Sequence, residues 1–378
     1  MKKHLRIGIA GFGAMGKTHA YSIASLPYFY EDLPFSACVH GICTTSTDKS
    51  VRICDTLGFK EAYADAFAMI ADPEIDVIDI CTPNNTHYEI ASAALDAGKS
   101  VLCEKPFCLN EQQASLLAEK ARSKGLICGV VYNNRHLAAI LRAKQLIDGG
   151  ALGRILSFSF DYRHDSDIDP ARTVGWKQRA DVCGAGTLFD LGSHVLDLCR
   201  HLCGDFASIS GKSQIAFDTH KNADGSLWQT DADEAFYMTA TLACGAVGQI
   251  SVSKLSHGAE DGLEFSIWGT GGAIRFTLAQ PDILYYMDAS APKLPLGGKA
   301  GFVAIPASGR YDAPGGKFPA VKAPQGWLRG HIHGMYLYLD AVACGKQFSP
   351  DFSDGAYVQH VMACALQSDA SNGKEVEV

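Results

Sequence analysis

Asp190 and His194 are the residues whose types and spacing most directly suggest chemistry. They stand four positions apart in the segment GTLFDLGSHVLD, so on a helix their side chains would share one face. An imidazole titrates near neutral pH and can take the proton of a hydroxyl group, while a nearby carboxylate can orient the ring or hold a substrate. The pair therefore predicts general acid–base catalysis. The alternative is that Asp190 only caps a helix and that His194 is a core residue.

Lys105 is a further candidate, within the sequence Glu104-Lys105-Pro106 that follows the apolar segment SVLC. If that segment is a parallel strand, Lys105 lies at the carboxyl edge of the sheet, where folds of this kind bind ligands. Its ammonium group could stabilise a developing alkoxide or alter the pKa of its neighbours. The alternative is an ordinary turn residue before proline.

A glycine-rich segment near the N-terminus predicts dinucleotide binding. It matches G-x-G-x-x-G, follows the strand-like LRIGIA and opens a helix, which is the context that gives the motif its meaning. Its glycines permit a tight turn and close approach of the backbone to a pyrophosphate, and the helix N-terminus supplies amide donors. The predicted cofactor-binding residues here are Gly11, Phe12, Gly13, Ala14, Met15 and Gly16.

The end of the second predicted strand bears on the choice between NAD and NADP. An acidic residue that would bind the ribose 2′-hydroxyl of NAD is missing there. Hydroxyl groups and positive charges that could bind a 2′-phosphate stand in its place, which favours NADP. Alternatively, these residues only cap the following helix. They are Thr44, Thr45, Ser46, Lys49 and Arg52.

The elements that must position these residues alternate between short apolar strands and helices up to residue 132. This alternation predicts a doubly wound parallel sheet, and hence a Rossmann NAD(P)-binding domain over residues 1–132. The predicted strands are 5–10, 37–43, 75–81, 100–103 and 126–132, and the predicted helix caps are Ser46 or Thr47, Asp65 and Asn110 at the starts and Gly58, Gly98 and Gly125 at the ends.

Residues 133–378 follow a different pattern. Longer strands of partly alternating polarity predict an α/β domain with a mainly antiparallel, open-faced sheet. We expect its open face to be apolar and to form an oligomer interface. Helices are predicted near 328–344 and at 353–371, and the closing helix is expected to pack back on the first domain. Residues 288–325, rich in glycine and proline, are predicted to form a long excursion.

Composition excludes several classes of function. A formal net charge of −8 without a basic run argues against nucleic acid as a partner. No segment reaches the roughly 18 apolar residues that span a bilayer, so a cytoplasmic protein is expected. The 13 cysteines contain no CxxC pair and are interpreted as reduced, structural residues rather than metal ligands. No metal site is predicted.

Three further segments complete a recognisable pattern with the glycine loop. They are Cys81-Thr82-Pro83-Asn84 with His87, Glu104-Lys105-Pro106, and the stretch from Gly184 to Asp197. Together they resemble the Gfo/Idh/MocA family over nearly the whole chain. The resemblance implies a Rossmann domain, a second α/β domain with an open sheet that often forms the oligomer interface, and an active site between the two at the nicotinamide. It also implies that Lys105, Asp190 and His194 are the catalytic set.

The function that the resemblance implies is transfer of a hydride between NAD(P) and a secondary hydroxyl or ketone carbon of a sugar, glycoside or cyclitol. The segment TTSTDK also resembles the NADPH-selecting segment of anhydrofructose reductases. The alternatives are an NAD-dependent glycosidase that oxidises the sugar transiently, and a non-catalytic NAD(P)-sensing regulator, which the presence of all three catalytic residues disfavours. A homodimer or homotetramer is expected.

Other polar residues are secondary candidates for the site. Thr82, Pro83, Asn84, His87 and Glu104 are expected at the cofactor edge, and Lys105, Tyr132, Arg163, Trp176, Asp190 and His194 at the substrate. His87 could instead serve only its helix end, Arg163 could be a solvated surface charge, and Trp176 could be core. His331 and His333 would diverge on a helix, so a metal pair is not expected there, although one of them could reach the substrate.

Overall fold

Six parallel strands form the sheet of the first unit in this computed structural model, which describes residues 2–169, 171–320 and 322–378. Their order is β3-β2-β1-β4-β5-β6, so β2 and β3 are added on one side of β1, and β4, β5 and β6 on its other side. This confirms the predicted doubly wound parallel sheet. The strands are β1 (Lys3–Ala10), β2 (Phe35–Cys43), β3 (Glu61–Tyr63), β4 (Val77–Ile80), β5 (Ser100–Cys103) and β6 (Cys128–Val130).

The helices of this unit begin and end where short polar and glycine residues predict. Ser46 accepts the Lys49 amide at the start of the second helix, and Gly58 ends that helix in the left-handed conformation. Asp65 and Asn110 cap their helices in the same way. The helices are α1 (Ala14–Phe29), α2 (Thr47–Leu57), α3 (Ala66–Ala71), α4 (His87–Asp96) and α5 (Glu111–Lys124).

A late helix completes the core of the first unit. This unit contains residues 2–133, 311–320 and 328–359 of the described chain. It therefore includes nearly all of a helix at Gly326–Cys344 and the first part of another at Phe352–Ala370, called α9 and α10 below. The domain boundary predicted at residue 132 assigns α9 to the second domain and returns only the closing helix to the first, whereas α9 lies almost entirely in the first unit. The helix α9 belongs to the first unit because its apolar face joins the core formed by Leu5, Ile7 and Ile9.

The second unit contains residues 134–310, 322–327 and 360–378 of the described chain. Its nine-stranded sheet has the order β16-β15-β14-β13-β7-β12-β11-β8-β17, and only β7 and β12 pair in parallel. This confirms the mainly antiparallel sheet. Its strands are β7 (Ile155–Arg163), β8 (Phe206–Gln214), β11 (Ala235–Leu242), β12 (Val247–Ser253), β13 (Gly262–Gly269), β14 (Gly272–Thr277), β15 (Ile283–Asp288), β16 (Val303–Pro306) and β17 (Val376–Glu377), with a separate pair formed by β9 (Thr219–Lys221) and β10 (Leu227–Gln229).

Side chains alternate across this sheet, and its open face differs from the predicted one. On β7, Phe158, Phe160 and Tyr162 are buried, whereas Ser159 and Asp161 between them are only partly covered. The same alternation on β11 and β12 leaves Tyr237, Thr239, Val247, Gln249 and Ser251 on the uncovered side. The open face is therefore largely polar rather than apolar.

Three further helices belong to this unit: α6 (Ala138–Asp148), α7 (Ala180–Cys183) and α8 (Ser193–Cys203). The predicted excursion 288–325 contains the strand β16, which pairs with β15. Among the described residues, no helix combines the length and apolar character needed to cross a membrane.

Candidate active site

The strand ends of the first unit bring three predicted segments to one edge of the sheet. Ala10 pairs with Ile80, and Ile80 pairs with Cys103, so β1, β4 and β5 end at the same level. The backbone bonds continue this register, since the Cys81 amide donates to Ala10 at 2.7 Å and the Glu104 amide donates to Ile80 at 2.9 Å. The glycine loop, the Cys81–Thr82 turn and the Glu104–Lys105 turn therefore lie side by side at the carboxyl edge.

The three glycines of the loop have separate roles. Gly11 has φ +87°, and a Cβ there would lie 2.5 Å from the Cys81 carbonyl oxygen. A Cβ at Gly16 would lie 2.2 Å from the Gly11 carbonyl oxygen, so both positions require glycine for the fold itself. A Cβ at Gly13 would meet no atom within 4 Å and would enter open space.

The start of α1 is suited to an anion. Gly13 caps this helix without a side chain, and its first turn holds no acidic residue. The first amide groups therefore meet no capping carboxylate or hydroxyl, and the helix dipole adds positive potential. Open space beside Gly13 and uncapped amides are the features that a dinucleotide pyrophosphate needs, so this loop fits NAD(P).

The hydroxyl groups after β2 hold the start of α2. Thr44 Oγ1 donates to the Ser46 carbonyl at 2.9 Å, and Ser46 Oγ accepts the Lys49 amide. This arrangement corresponds to the capping alternative for Thr44 and Ser46, while the side chains of Thr45 and Lys49 are exposed. No acidic residue follows Cys43 at the strand end before Asp48.

His87 links two of the loops at this edge. Its ring is buried, with Nδ1 3.0 Å from the Pro106 carbonyl oxygen and Nε2 2.9 Å from the Thr82 carbonyl oxygen. Burial lowers the pKa of His87. The structure thus places His87 behind the Thr82–Asn84 turn, where it tethers that turn to the Glu104–Pro106 turn. Tyr132 is buried two residues after the end of β6, where Val130 pairs with Cys103.

A buried polar cluster under the loop was missed by the sequence reasoning. His19 on α1, Asp79 on β4 and Glu104 are all buried, and Cys81 lies against them. Burial alone would lower the pKa of His19, but the Asp79 and Cys81 side chains raise it well above the usual value. The signal that could have revealed the cluster is Asp79, the one carboxylate inside the otherwise apolar strand VIDI.

His331 and His333 diverge on α9, as their spacing predicts. His333 Nδ1 lies 2.8 Å from the Tyr30 hydroxyl and its ring packs against Tyr311. The His331 ring centroid lies 6.0 Å from that of His19.

In the second unit, Asp190 lies on a π-helical turn, Leu188–Gly192, directly before α8. The assumption of one regular α-helix through Asp190 and His194 is therefore corrected: the turn is wider, and π-turns of this kind occur frequently at functional sites. Asp233 holds the turn, since its carboxylate accepts the Leu188 amide at 2.9 Å.

Two lysines bind the Asp190 carboxylate. Lys177 Nζ lies 3.0 Å from one oxygen, and Lys254 Nζ lies 3.0 Å from the other. Lys254 is only 2% exposed, whereas the Lys177 side chain is 46% exposed. Burial would lower the pKa of Lys254, but Asp190, with Asp167 and Asp233, raises it. Lys254 was not predicted, because a lone lysine after a strand carries no sequence signal that links it to Asp190.

His194 is buried at the start of α8 and faces Tyr162. Their ring centroids are 6.0 Å apart, and the Tyr162 hydroxyl donates to Asp261 at 2.6 Å. Burial and the Asp261 carboxylate raise the pKa of Tyr162. Tyr162 was also missed, although the alternation along β7 puts it on the covered face.

Arg163 does not share that face. Its guanidinium donates to Asp161 at 3.0 Å and to Ser251 at 3.3 Å on the open side of the sheet, which corresponds to the surface alternative for this residue. The reason is the period of two along a strand, which points Arg163 away from Tyr162 and His194. Trp176 lies in a short 3₁₀ turn and is 39% exposed, next to Lys177.

Comparisons with known proteins agree with this arrangement. The profile of the GFO_IDH_MocA oxidoreductase family with an NAD-binding Rossmann fold matches residues 5–132, and the profile of the GFO/IDH/MocA C-terminal domain matches residues 140–275. A levoglucosan dehydrogenase of Pseudarthrobacter phenanthrenivorans is 30% identical over 97% of both chains. The scyllo-inositol 2-dehydrogenase (NAD(+)) of Bacillus subtilis is 26% identical over 72% of this chain and 74% of its own length.

The fold is matched over its whole length by a solved structure. A levoglucosan dehydrogenase in complex with NADH and L-sorbose superposes with a TM-score of 0.95 at 30% identity, covering 100% of this chain and 99% of the other.

Proposed function

The chain belongs to the GFO/IDH/MocA family of oxidoreductases, and we propose that it oxidises a secondary ring hydroxyl of a sugar, glycoside or cyclitol to a ketone. It is an NAD(P)-dependent enzyme that acts on CH–OH groups of sugars or cyclitols. The observation that carries the proposal is the position of Lys105, which follows β5 at the same sheet edge as the glycine loop. A cation there would lie next to a substrate oxygen that is held beside a bound nicotinamide.

The bound NAD(P)⁺ supplies the hydride acceptor. The chain's contribution is to hold the dinucleotide: the amides at the start of α1 take the pyrophosphate, and Gly13 leaves space for it. Thr82, Pro83 and Asn84 would line the cofactor edge, in a turn kept in place by His87.

The catalytic roles follow from the chemistry of the side chains. As the C–H bond breaks with its electron pair, the hydroxyl proton passes to the His194 imidazole and the ring carbon becomes a carbonyl. The Lys105 ammonium stabilises the developing alkoxide. Asp190, fixed between Lys177 and Lys254, anchors a substrate hydroxyl or orients His194.

The cofactor preference and the assembly state extend the proposal. The absence of an acid after Cys43, with exposed Thr45, Lys49 and Arg52 close by in sequence, supports a preference for NADP over NAD. The open face of the nine-stranded sheet supports assembly into a homodimer or homotetramer.

The direct test is NAD(P)H absorbance with a panel of substrates. Levoglucosan comes first, because the 30% identical relative is named for it; inositols, aldoses and glycosides follow. We expect reduction of NAD(P)⁺ with at least one ring polyol and a ketone product. If no member of the panel produces NAD(P)H with either dinucleotide, the proposal fails.

The assigned roles are tested by Lys105→Ala and His194→Ala. Each substitution should lower kcat by about 10²–10⁴-fold, the usual cost of removing a positioned acid–base group, while dinucleotide binding stays near that of the wild type. Asp190→Asn should also be harmful and non-additive with His194→Ala if the two act together. A folded His194→Ala enzyme with wild-type turnover would make Lys105 the leading candidate for the base.

A further inference from the structure

A buried imidazole lies between two carboxylates under the glycine loop. His19 Nδ1 is 2.9 Å from Asp79 Oδ2, and His19 Nε2 is 3.2 Å from Glu104 Oε1. The first contact is a well-formed hydrogen bond; the second has an ion-pair distance but a poor hydrogen-bond angle. None of the three side chains is more than 7% exposed.

This arrangement fits a protonated ring. Carboxylates only accept hydrogen bonds, and a neutral imidazole has a single N–H. A ring that faces carboxylates through both nitrogens is best satisfied as an imidazolium, and two buried negative charges favour that cation. Although burial alone would raise the pKa of Glu104, His19 lowers it, as do Lys105 and His331.

The spacing of the ligand-type atoms in this cluster is explained without a metal ion. Donor atoms of His19, Asp79 and Cys81 lie within 4.8 Å of one another. The 2.9 Å contact between His19 Nδ1 and Asp79 is a hydrogen-bond distance, so a proton on Nδ1 already occupies the space a metal would take.

The cluster continues to the backbone of the candidate catalytic lysine. The second oxygen of Glu104, Oε2, accepts the Lys105 amide at 3.1 Å. Asp79 is fixed in the middle of the sheet on β4, so the contacts run from a rigid strand through His19 and Glu104 to the Lys105 amide.

We propose that His19 is a positioning residue: held by Asp79, its imidazolium fixes the Glu104 carboxylate, which in turn fixes the backbone at Lys105. This inference rests on the proposed role of Lys105. The reacting atoms are not touched by His19, which acts only through Glu104.

Two amide substitutions separate the two contacts of the ring. In His19→Gln the side-chain nitrogen takes the place of Nε2 and keeps an N–H group beside Glu104. In His19→Asn it takes the place of Nδ1 and can donate only to Asp79. We expect His19→Gln to keep kcat within about threefold of the wild type and His19→Asn to lose about 10- to 100-fold, as a small displacement of a catalytic group does. The matched control is His40→Gln, another buried histidine near two carboxylates, Asp72 and Glu74.

Amide hydrogen exchange at Lys105 gives a readout without turnover. Exchange should be slow in the wild type and in His19→Gln and faster in His19→Asn, with His40→Gln like the wild type. Equal kcat and equal exchange in the two His19 variants would overturn the proposal. If the wild type shows no turnover with any polyol, the proposed function fails, and the exchange rates still decide the positioning role.

The protonation state can be measured in the wild type, which does not depend on any variant folding. Nitrogen-15 NMR of histidine-labelled protein, with the His19 signal assigned from its loss in His19→Gln or from its couplings, should show both ring nitrogens protonated at neutral pH. A ring with a single proton, or one mole of bound metal per chain, would overturn the proposal.

Discussion

At the scale of single residues, the glycine loop shows how one motif combines structural and functional demands. Gly11 and Gly16 are fixed by the backbone atoms that a Cβ would strike, whereas Gly13 faces open space and has an extended φ of −78° that any residue can adopt. The motif assigns each glycine a general role, and the surrounding atoms show at which positions the fold itself excludes a side chain.

The first prediction separates these roles. Gly13→Val should leave the fold intact, because no atom lies within 4 Å of the added Cβ, and should abolish dinucleotide binding, because the side chain enters the pyrophosphate space. Fluorescence titration with NADH and NADPH measures binding, and thermal unfolding measures the fold. Gly11→Ala is the contrasting variant and should lower the melting temperature, since its φ of +87° and the Cys81 carbonyl both oppose a side chain. A folded Gly13→Val protein that binds as well as the wild type would place the pyrophosphate elsewhere.

The two lysines at Asp190 allow a second prediction at this scale. Removing Lys254 leaves Asp190 without its buried partner, which typically costs about 3–5 kcal/mol. Removing the half-exposed Lys177 should cost about 0–1 kcal/mol, because water screens that pair. Lys254→Met and Lys177→Met should therefore differ clearly in the free energy of unfolding by chemical denaturation. Lys254→Met should also lower kcat. Equal losses of stability in the two variants would mean that the Lys254–Asp190 pair contributes no more than a surface pair.

At the scale of secondary-structure elements, local signals predicted the helices well. Ser46, Asp65 and Asn110 cap helices as their residue types predict, and Gly58 ends one. The strands β14, β15 and β16 were not predicted. Each pairs with the strand next to it along the chain, but the glycines and prolines around them resemble a loop. The π-turn at Asp190 also left no local signal, since it depends on Asp233, which lies far along the chain.

The junction between β2 and α2 provides the prediction for this scale. Thr44 directly follows the strand and bonds to Ser46 before the helix, where the Ser46 amide would also donate to a carboxylate. Thr44→Asp should therefore fold, repel a 2′-phosphate and shift the ratio of kcat/KM for NADP and NAD toward NAD. Thr44→Asn, of similar size but uncharged, is the control. A wild-type enzyme that already prefers NAD, or an unchanged ratio in Thr44→Asp, would contradict the proposed NADP preference.

At the scale of the whole molecule, sequence reasoning predicts site residues only where they stand in continuous motifs, and it does not predict contacts between residues that meet only through the fold. Lys105, Asp190 and His194 belong to short recognisable segments, whereas Lys254 and Tyr162 reach their partners from separate strands. The position of α9 in the first unit could not be predicted for the same reason. Its sequence shows an apolar face but does not specify which of the two sheets that face covers. Arg163 is the opposite case: it is next to Tyr162 in sequence, but its side chain lies on the other face of the strand.

The last prediction concerns assembly through the open sheet. Non-obligate interfaces are about as polar as the rest of a protein surface, and homodimer interfaces are only moderately more apolar. The polar side chains on β11 and β12 are therefore compatible with an interface. Light scattering at micromolar concentration should give two or four times the chain mass of 40.4 kDa. Tyr237 is 45% exposed on β11 and pairs with Lys212, so Tyr237→Lys would place two positive charges side by side on each copy of this face. We expect that variant to have a lower mass than the wild type, while Tyr28→Lys, at an exposed tyrosine on α1, should keep the wild-type mass. A monomeric wild type would refute the assembly itself, and a Tyr237→Lys protein of unchanged mass would move the interface away from this sheet.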